Sequence, residues 1–345
     1  MSNTRVTAQQ VAALAGVSQS AVSRVFTPGA SASELTMKKV REAATELGYR
    51  PNSLARAMVS GKSRMIGLVV AYLQNQFYPE ALERLSNELQ ARGYHVLVFL
   101  AAQTAGSVDD VIEEILDYQV DGIIAASVAL SSELSNRCRA ANVPMVLFNR
   151  SQDDCTMSAV TSDNYAGGRK VAEFLLAGGH QRIAYIAGWE GASTQRDREA
   201  GFRDALSAAG MPLFARGVGN FVLEQARVAT RQMFGGSPET RPDAVFVAND
   251  HMAFAVMDVL RFELGLDVPA DVSVVGYDDV PAASWPAYDL TTVRQRANQM
   301  ITTTVDILLD EIENESVAPR RVQIDGPLIQ RGSARIIEGK KNERF

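Results

Sequence analysis

The chain has 345 residues, 46% of them hydrophobic and 21% charged, with a net charge of −6. That balance belongs to a soluble folded protein of about two or three units and excludes a disordered or collagen-like chain. The longest apolar run, Met65–Leu73, is far shorter than the ~20 residues a membrane-spanning helix needs. The first residues lack the apolar core of a secretory signal. The two cysteines, Cys138 and Cys155, have no paired spacing. The expectation is a cytoplasmic protein with free thiols and no membrane partner.

The charge is unevenly spread. Residues 1–64 carry nine Lys and Arg against three Glu, a net of +6, which leaves −12 for the remainder. A basic head on an acidic body suits a polyanionic partner for the head. A solvated basic face without a partner fits the charge equally well.

Thr7 is positioned to N-cap a helix over Ala8–Ala15, with Val11, Ala12, Leu14 and Ala15 as its buried stripe. Gly16 permits a left-handed turn that a Cβ would resist. Ser18 then caps a second short helix with Val22 and Val25 inward, and a third helix runs over Thr36–Leu47 to Gly48. This is a helix-turn-helix pattern, whose second helix reads the major groove. Arg24 can donate two hydrogen bonds to guanine and Gln19 can pair with adenine. Ser18 and Ser23 suit phosphates. Thr7 and Ser20 complete the candidate DNA contacts in the head, and an ordinary helical hairpin is the alternative reading.

Residues 51–64 open with Pro51 and carry Asn52, Ala55 and Met58. The segment over Asn52–Val59 is too short for a stable helix by itself, so it is expected to fold on contact with a partner or to serve as a plain linker.

From Met65 onward, apolar strand candidates alternate with helices. The first set is Ile66–Ala71, Val96–Leu100, Gly122–Ala126 and Met145–Phe148; the second is Ile183–Ala187, Ala244–Val247 and Ser273–Gly276. The helices between them include Pro79–Arg92, Tyr165–Ala177, Arg198–Ala209 and His251–Leu264. Continuous apolar strands imply parallel sheets covered on both faces. The expected fold is therefore α/β: a helix-turn-helix headpiece followed by a body of two doubly wound parallel-sheet subdomains, with a ligand cleft at the carboxyl ends of the strands. Asn149, Asn249, Asp250 and Asp278 each follow such a strand. Arg198 opens a helix, and Phe77, Tyr78 and Phe221 offer flat faces for a ring. Asp250 reads better as a helix N-cap than as a ligand contact, and His251 better as a solvated residue at a helix start than as a cleft residue.

The stretches V-A-A-L-A-G-V-S-x-S-x-V-S-R-V-F, G-Y-R-P-N-x-x-A-R-x-M and I-G-L-V-V, with Arg331-Gly332-Ser333 near the end, resemble the LacI/GalR family of bacterial transcription regulators over nearly the whole chain. The resemblance implies a periplasmic-binding-protein-like body in which the chain crosses between subdomains near Ser162, Val293 and Val322. It divides the chain into a headpiece (1–50), a hinge helix (51–64) and a body (65–345). In the body, an N-subdomain comprises 65–162 and 294–321, and a C-subdomain comprises 163–292 and 322–340. It also implies paired hinge helices in the minor groove, with Ala55 permitting their approach, Asn52 beside them, and Met58 in the place of the family's usual wedging leucine. By the same resemblance, Asn149, Arg198, Asn249 and Asp278 contact the effector, Phe77, Tyr78 and Phe221 stack on it, and Ser127 and Gln295 are further contacts. The implied partners are double-stranded operator DNA, a sugar, sugar acid or similar metabolite, and a second copy of the chain in a homodimer. No metal or cofactor is expected.

Enzyme readings fare poorly. Gly61-Lys62-Ser63 would need a glycine at Arg56 to complete a phosphate loop, and no strand precedes it. The three histidines, His95, His180 and His251, form no zinc motif, and no G-x-S-x-G elbow is present. A solute-binding protein is the remaining rival, since it would share the body without needing the basic head.

Overall fold

The computed structural model describes residues 6–26, 30–50, 62–71, 73–101, 105–128, 132–153, 156–314 and 317–335. The chain divides into two compact units, Met1–Arg64 and Met65–Phe345.

In the first unit, α1 (Ala8–Ala15), α2 (Gln19–Val25) and α3 (Glu34–Leu47) follow from their caps. Thr7 Oγ1 accepts from Gln10 N while Gln10 Oε1 accepts from Thr7 N at 2.8 Å, a closed capping box. Gly16 takes φ +66° and turns the chain into α2, where Ser18 Oγ accepts from Ala21 N. Val11, Ala12, Ala15, Val22, Val40, Ala43 and Ala44 form the core of the three helices. Leu14, expected in that stripe, is instead 47% exposed, because Val11, Ala12 and Ala15 fill the narrow face that α1 turns inward.

Among the described residues, the body contains two six-stranded sheets. The first has the order β11-β5-β4-β3-β1-β2, built from β1 (Met65–Val70), β2 (His95–Leu100), β3 (Gly122–Ala126), β4 (Met145–Phe148), β5 (Ser158–Ser162) and β11 (Arg321–Ile324). All its pairings are parallel. The second has the order β12-β10-β9-β8-β6-β7, from β6 (Ile183–Ala187), β7 (Ala215–Val218), β8 (Ala244–Val247), β9 (Ser273–Asp278), β10 (Thr291–Arg294) and β12 (Leu328–Ile329). Here β12 runs antiparallel to β10, so the second sheet is mixed at one edge rather than wholly parallel.

The helices cover the sheet faces, as doubly wound folds require. They are α4 (Phe77–Ala91), α5 (Ala105–Asp117), α6 (Ser132–Ala140), α7 (Asn164–Ala177), α8 (Ser193–Ala208), α9 (Leu223–Phe234), α10 (Asp250–Asp258), continued by a π turn at Val259–Glu263, and α11 (Ala297–Glu313). Helices α7 and α8 pack almost backbone to backbone. A Cβ on Gly168 would lie 2.1 Å from Arg198 O, and one on Gly201 would lie 2.0 Å from Tyr165 O.

The chain passes between the sheets three times: after β5, between β10 and α11, and between β11 and β12. Strand β11 pairs with β5 through Ile324↔Ser162, so the third passage falls after Ile324 and not at the 321/322 boundary expected from the sequence. Arg294 likewise ends β10 in the second sheet, where the expectation began the return to the first. One helix start and one strand end also move. Helix α8 begins at Ser193, which puts Arg198 in its second turn rather than at its opening. Strand β9 extends through Asp278, two residues beyond the apolar run that announced it.

Candidate functional site

The head presents one polar face. Gln19, Ser20, Ser23 and Arg24 are all exposed, and Gln19/Ser23 and Ser20/Arg24 lie four residues apart on α2, on neighbouring rows of one surface. Ser18 is exposed as well, but its hydroxyl is committed to the cap and to Ser20 Oγ at 2.9 Å. Thr7 is exposed at the start of α1, with its side chain in the capping box. None of these side chains is needed by the core, while Val22 between them is fully buried. Asn52, Ala55 and Met58 lie outside the described residues.

In the body, the sequence-expected polar residues converge where the two sheets face each other. In each sheet the second and third strands lie on opposite sides of the first, β1 between β2 and β3 and β6 between β7 and β8, which is where open α/β sheets leave a crevice. Asn75, Tyr78, Ser127, Asn149, Arg150, Thr194, Arg198, Phe221, Asn249 and Asp278 line the cavity there. As formed it is closed, with a volume of about 10 Å³, room for roughly one water.

The backbone around it is unusual. Ser127 (φ +58°), Asn149 (φ +55°), Phe221 (φ +61°) and Asp278 (φ +130°) are all lining residues in the left-handed region without being glycine. Each such residue stores conformational strain of order 1–3 kcal/mol, and such strain clusters at functional sites.

Asp278 is the electrostatic centre. Its carboxylate accepts from Gln295 Nε2 at 2.6 Å and Asn75 Nδ2 at 3.1 Å, and lies 3.6 Å from Arg198 Nη2. Burial raises its pKa, and the Arg198 charge pulls it back down. Arg198 is held on every side: Nε donates to Asn164 Oδ1 at 2.8 Å, Nη1 to Ala248 O at 2.6 Å, and the guanidinium lies 3.6 Å over the Tyr277 ring. Across the cavity, Arg150 Nη2 donates to Ser127 Oγ at 3.2 Å, and its guanidinium stands 5.4 Å from the Trp189 ring. Asn149 Nδ2 donates to Tyr78 OH at 3.3 Å, whereas Asn149 Oδ1 is buried with no hydrogen-bond partner among the described residues. A buried acceptor in that condition invites a donor from a ligand. Burial also pushes the Tyr78 hydroxyl pKa up.

The structure thus brings together Tyr78, Ser127, Asn149, Arg198, Phe221, Asn249 and Asp278 of the expected contacts. Gln295 stands one layer back as a donor to Asp278. Phe77 is not in the lining: it is buried in the first subdomain's core, stacked on Phe148 at 6.2 Å, because the helix turns its ring toward the sheet. Asp250 does not cap α10. Asn249 does so, its Oδ1 accepting from Met252 N at 3.0 Å, and Asp250 is buried one residue inside the helix. His251 is half-buried rather than solvated, its Nε2 is enclosed, and burial lowers its pKa. Asn75, Arg150 and Thr194 were missed. Arg150 carried a usable signal, following Asn149 at the end of β4. Asn75 and Thr194 sit in a loop and a first helical turn, with no pattern to mark them.

Known proteins can be set against this geometry. Residues 7–52 match the family of bacterial regulatory proteins described as the lacI family, and residues 172–334 match a periplasmic binding protein-like domain. The Escherichia coli K12 ribose operon repressor is 31% identical over 333 residues, 95% of this chain and 99% of that protein. A lac repressor dimer bound to operator and the anti-inducer ONPF superposes with a TM-score of 0.86 at 29% identity, over 96% of this chain and 99% of that one. A complex of the regulator CelR with cellobiose gives 0.72 at 31% identity, over 96% and 100%. Among the described residues no helix is long and apolar enough to cross a membrane. A reading-helix head, a paired-sheet body closed on a polar cavity, and end-to-end similarity to these repressors place this chain in the LacI family of bacterial regulatory proteins.

Proposed function

We propose that this chain is a transcriptional repressor whose head reads operator DNA and whose body takes a neutral or acidic sugar in the cleft between the two sheets. The lining of that cleft carries the reading. Eight of its ten residues are polar or charged, and the other two, Tyr78 and Phe221, are aromatic. A polyhydroxylated ring needs that mixture: donors and acceptors around its rim and a flat apolar face beneath. The ribose operon repressor and the cellobiose-bound CelR, both relatives, point to the same ligand class.

At about 10 Å³ the cavity cannot admit a sugar without the subdomains parting. The three chain crossings between the sheets are the natural pivots for that motion. Sugar binding therefore selects a wider spacing of the two subdomains than the one seen here, and the segment over 51–64 carries the change toward the head. Coupling of this kind is reciprocal, so operator DNA alters sugar affinity by the same factor. The head is assigned to residues 1–50 and the hinge to 51–64, with Asn52, Ala55 and Met58 as its DNA contacts.

A panel of pentoses, hexoses, disaccharides and sugar acids tests the proposal, read by the fluorescence of Trp189 at the cleft rim and by gel shifts of fragments upstream of neighbouring genes. At least one sugar should change both. If none alters either signal, the sugar reading fails. Asn149→Ala is the clean companion variant. Asn149 contributes one long hydrogen bond to the fold, so the melting temperature should barely move while sugar affinity falls at least about tenfold.

On the DNA side, Arg24→Ala should cost about 1–3 kcal/mol of discrimination at one base pair, measured by titrating operator variants. A uniform loss across all sequences would assign Arg24 to a phosphate instead.

Two heads must be joined to read a two-fold operator. The edge strand β2 offers the surface for a second copy, with Val98 46% and Leu100 62% exposed on the last strand of the first sheet among the described residues. The lac repressor relative is itself dimeric on operator. Leu100→Asp should therefore shift the protein to monomer in sedimentation velocity; an unchanged dimer would remove β2 from the interface.

A further inference from the structure

Asp250 is a fully buried carboxyl that touches no ligand-facing space, yet three parts of the site meet on it. It is the first residue of α10, directly after the lining residue Asn249. Its Oδ2 accepts from Val280 N at 3.0 Å, in the turn that follows Asp278, and its Oδ1 is 2.6 Å from Thr292 Oγ1 in β10, the strand that leads out of the second sheet toward α11. Gly276 makes the approach possible, since a Cβ there would lie 2.2 Å from Asp250 Oδ1.

We infer that Asp250 is the positioning residue of the effector site, a buried carboxyl whose two hydrogen bonds lock the Asn249 cap, the Asp278 turn and the outgoing strand β10 into one unit. This rests on reading the cleft as the effector site. The surroundings favour a proton on it. Burial and the facing carboxylates Asp278 and Asp279 disfavour a charge on Asp250, against the opposing hydrogen bonds from Thr292 and Val280. The nearby cations are engaged elsewhere: Arg198 faces Asp278, while Arg294 and Arg331 hold Asp279 at 2.5 and 2.6 Å. The Asp250 pKa is pushed up to about 8. As a carboxylate the group accepts from both Val280 N and Thr292 Oγ1; a proton on Oδ1 reverses the second bond, so that the carboxyl donates to Thr292 Oγ1, an arrangement an asparagine amide reproduces in shape and polarity.

The sign of the pH effect follows. A carboxyl whose pKa is higher folded than unfolded takes up a proton on folding, so its stabilising contribution is full below the ordinary Asp value near 4. It is then lost as pH rises toward 8. Asp250→Asn has no proton to lose. The experiment compares the full-length wild type with this variant by thermal melting without ligand from pH 5 to pH 8.5. The difference in Tm should move in favour of the variant by roughly 5 °C across that range. A constant difference, or one moving in favour of the wild type, overturns the inference.

The positioning role has its own readout. With D-ribose and cellobiose as probes, whichever binds the wild type should bind about tenfold more weakly at pH 8.5 than at pH 6.5, and Asp250→Asn should abolish that dependence. Retention of the same pH dependence by the variant overturns the role. If neither these nor any other sugar of the panel binds, the reading of the cleft fails, while the melting comparison still decides the proton.

Discussion

Replacement of Arg198 by alanine should lower the melting temperature of the body by roughly 10 °C, as well as disabling the cleft. The guanidinium is 3% exposed and serves Asn164, the Ala248 carbonyl, Asp278 and the Tyr277 ring at once. Removing it strands the buried Asp278 carboxylate and orphans a carbonyl, a class of change that costs about 3–5 kcal/mol. For a body of this size, each kcal/mol corresponds to about 2–4 °C. Arg198→Lys keeps a charge but cannot span the same partners with one ammonium, so it should recover only part of the loss. Thermal melts of the two variants decide the matter. A shift under about 2 °C for alanine would show that Arg198 serves the ligand alone. Arg198 is thus a keystone of the body as well as a lining residue of the cleft, so Asn149→Ala is the sharper probe of sugar binding.

A still larger effect is expected where α7 meets α8. Gly168→Val places a branched side chain where even a Cβ would sit 2.1 Å from the Arg198 carbonyl oxygen. Backbone cannot rotate away as a side chain can. The helices must part by roughly 1 Å to restore ordinary contact, and the Arg198 network moves with them. The expected cost is about 4 kcal/mol or more, seen as loss of soluble body or a Tm reduced by over 10 °C. Gly201→Val should do the same from the other helix, because its Cβ would meet Tyr165 O. A near-native melt for either variant would mean that the two helices slide freely past each other.

What could be read from the sequence was whatever local chemistry dictates. The head was legible because Thr7, Gly16 and Ser18 fix helix ends by hydrogen bonds and backbone conformation within a few residues. The apolar central strands were legible for the same reason. Strands β5, β7, β10 and β11 were not: Ser-Ala-Val-Thr-Ser, Ala-Arg-Gly-Val, Thr-Thr-Val-Arg and Arg-Val-Gln-Ile are short and polar, and they become strands only because a neighbour offers its edge. The cleft was legible through residues that end apolar strands, such as Asn149 and Asn249. It was misread at Phe77, where an aromatic ring satisfies the core as readily as a ligand, and at Asp250, whose partners Val280 and Thr292 are distant in sequence. Asn75 stayed hidden because its contact with Asp278 spans 203 residues.

The strands that complete the two sheets, β11 and β12, come from residues 321–329, whereas the head is made from the first fifty. During synthesis the operator-reading unit emerges and can fold while both sheets still lack an edge. A message broken before codon 321 would thus yield a polypeptide with its reading helix intact and two sticky borders exposed, destined for proteolysis or clumping. Premature stop codons in this gene should accordingly act as losses of the whole regulator, even when they spare every amino acid that touches DNA.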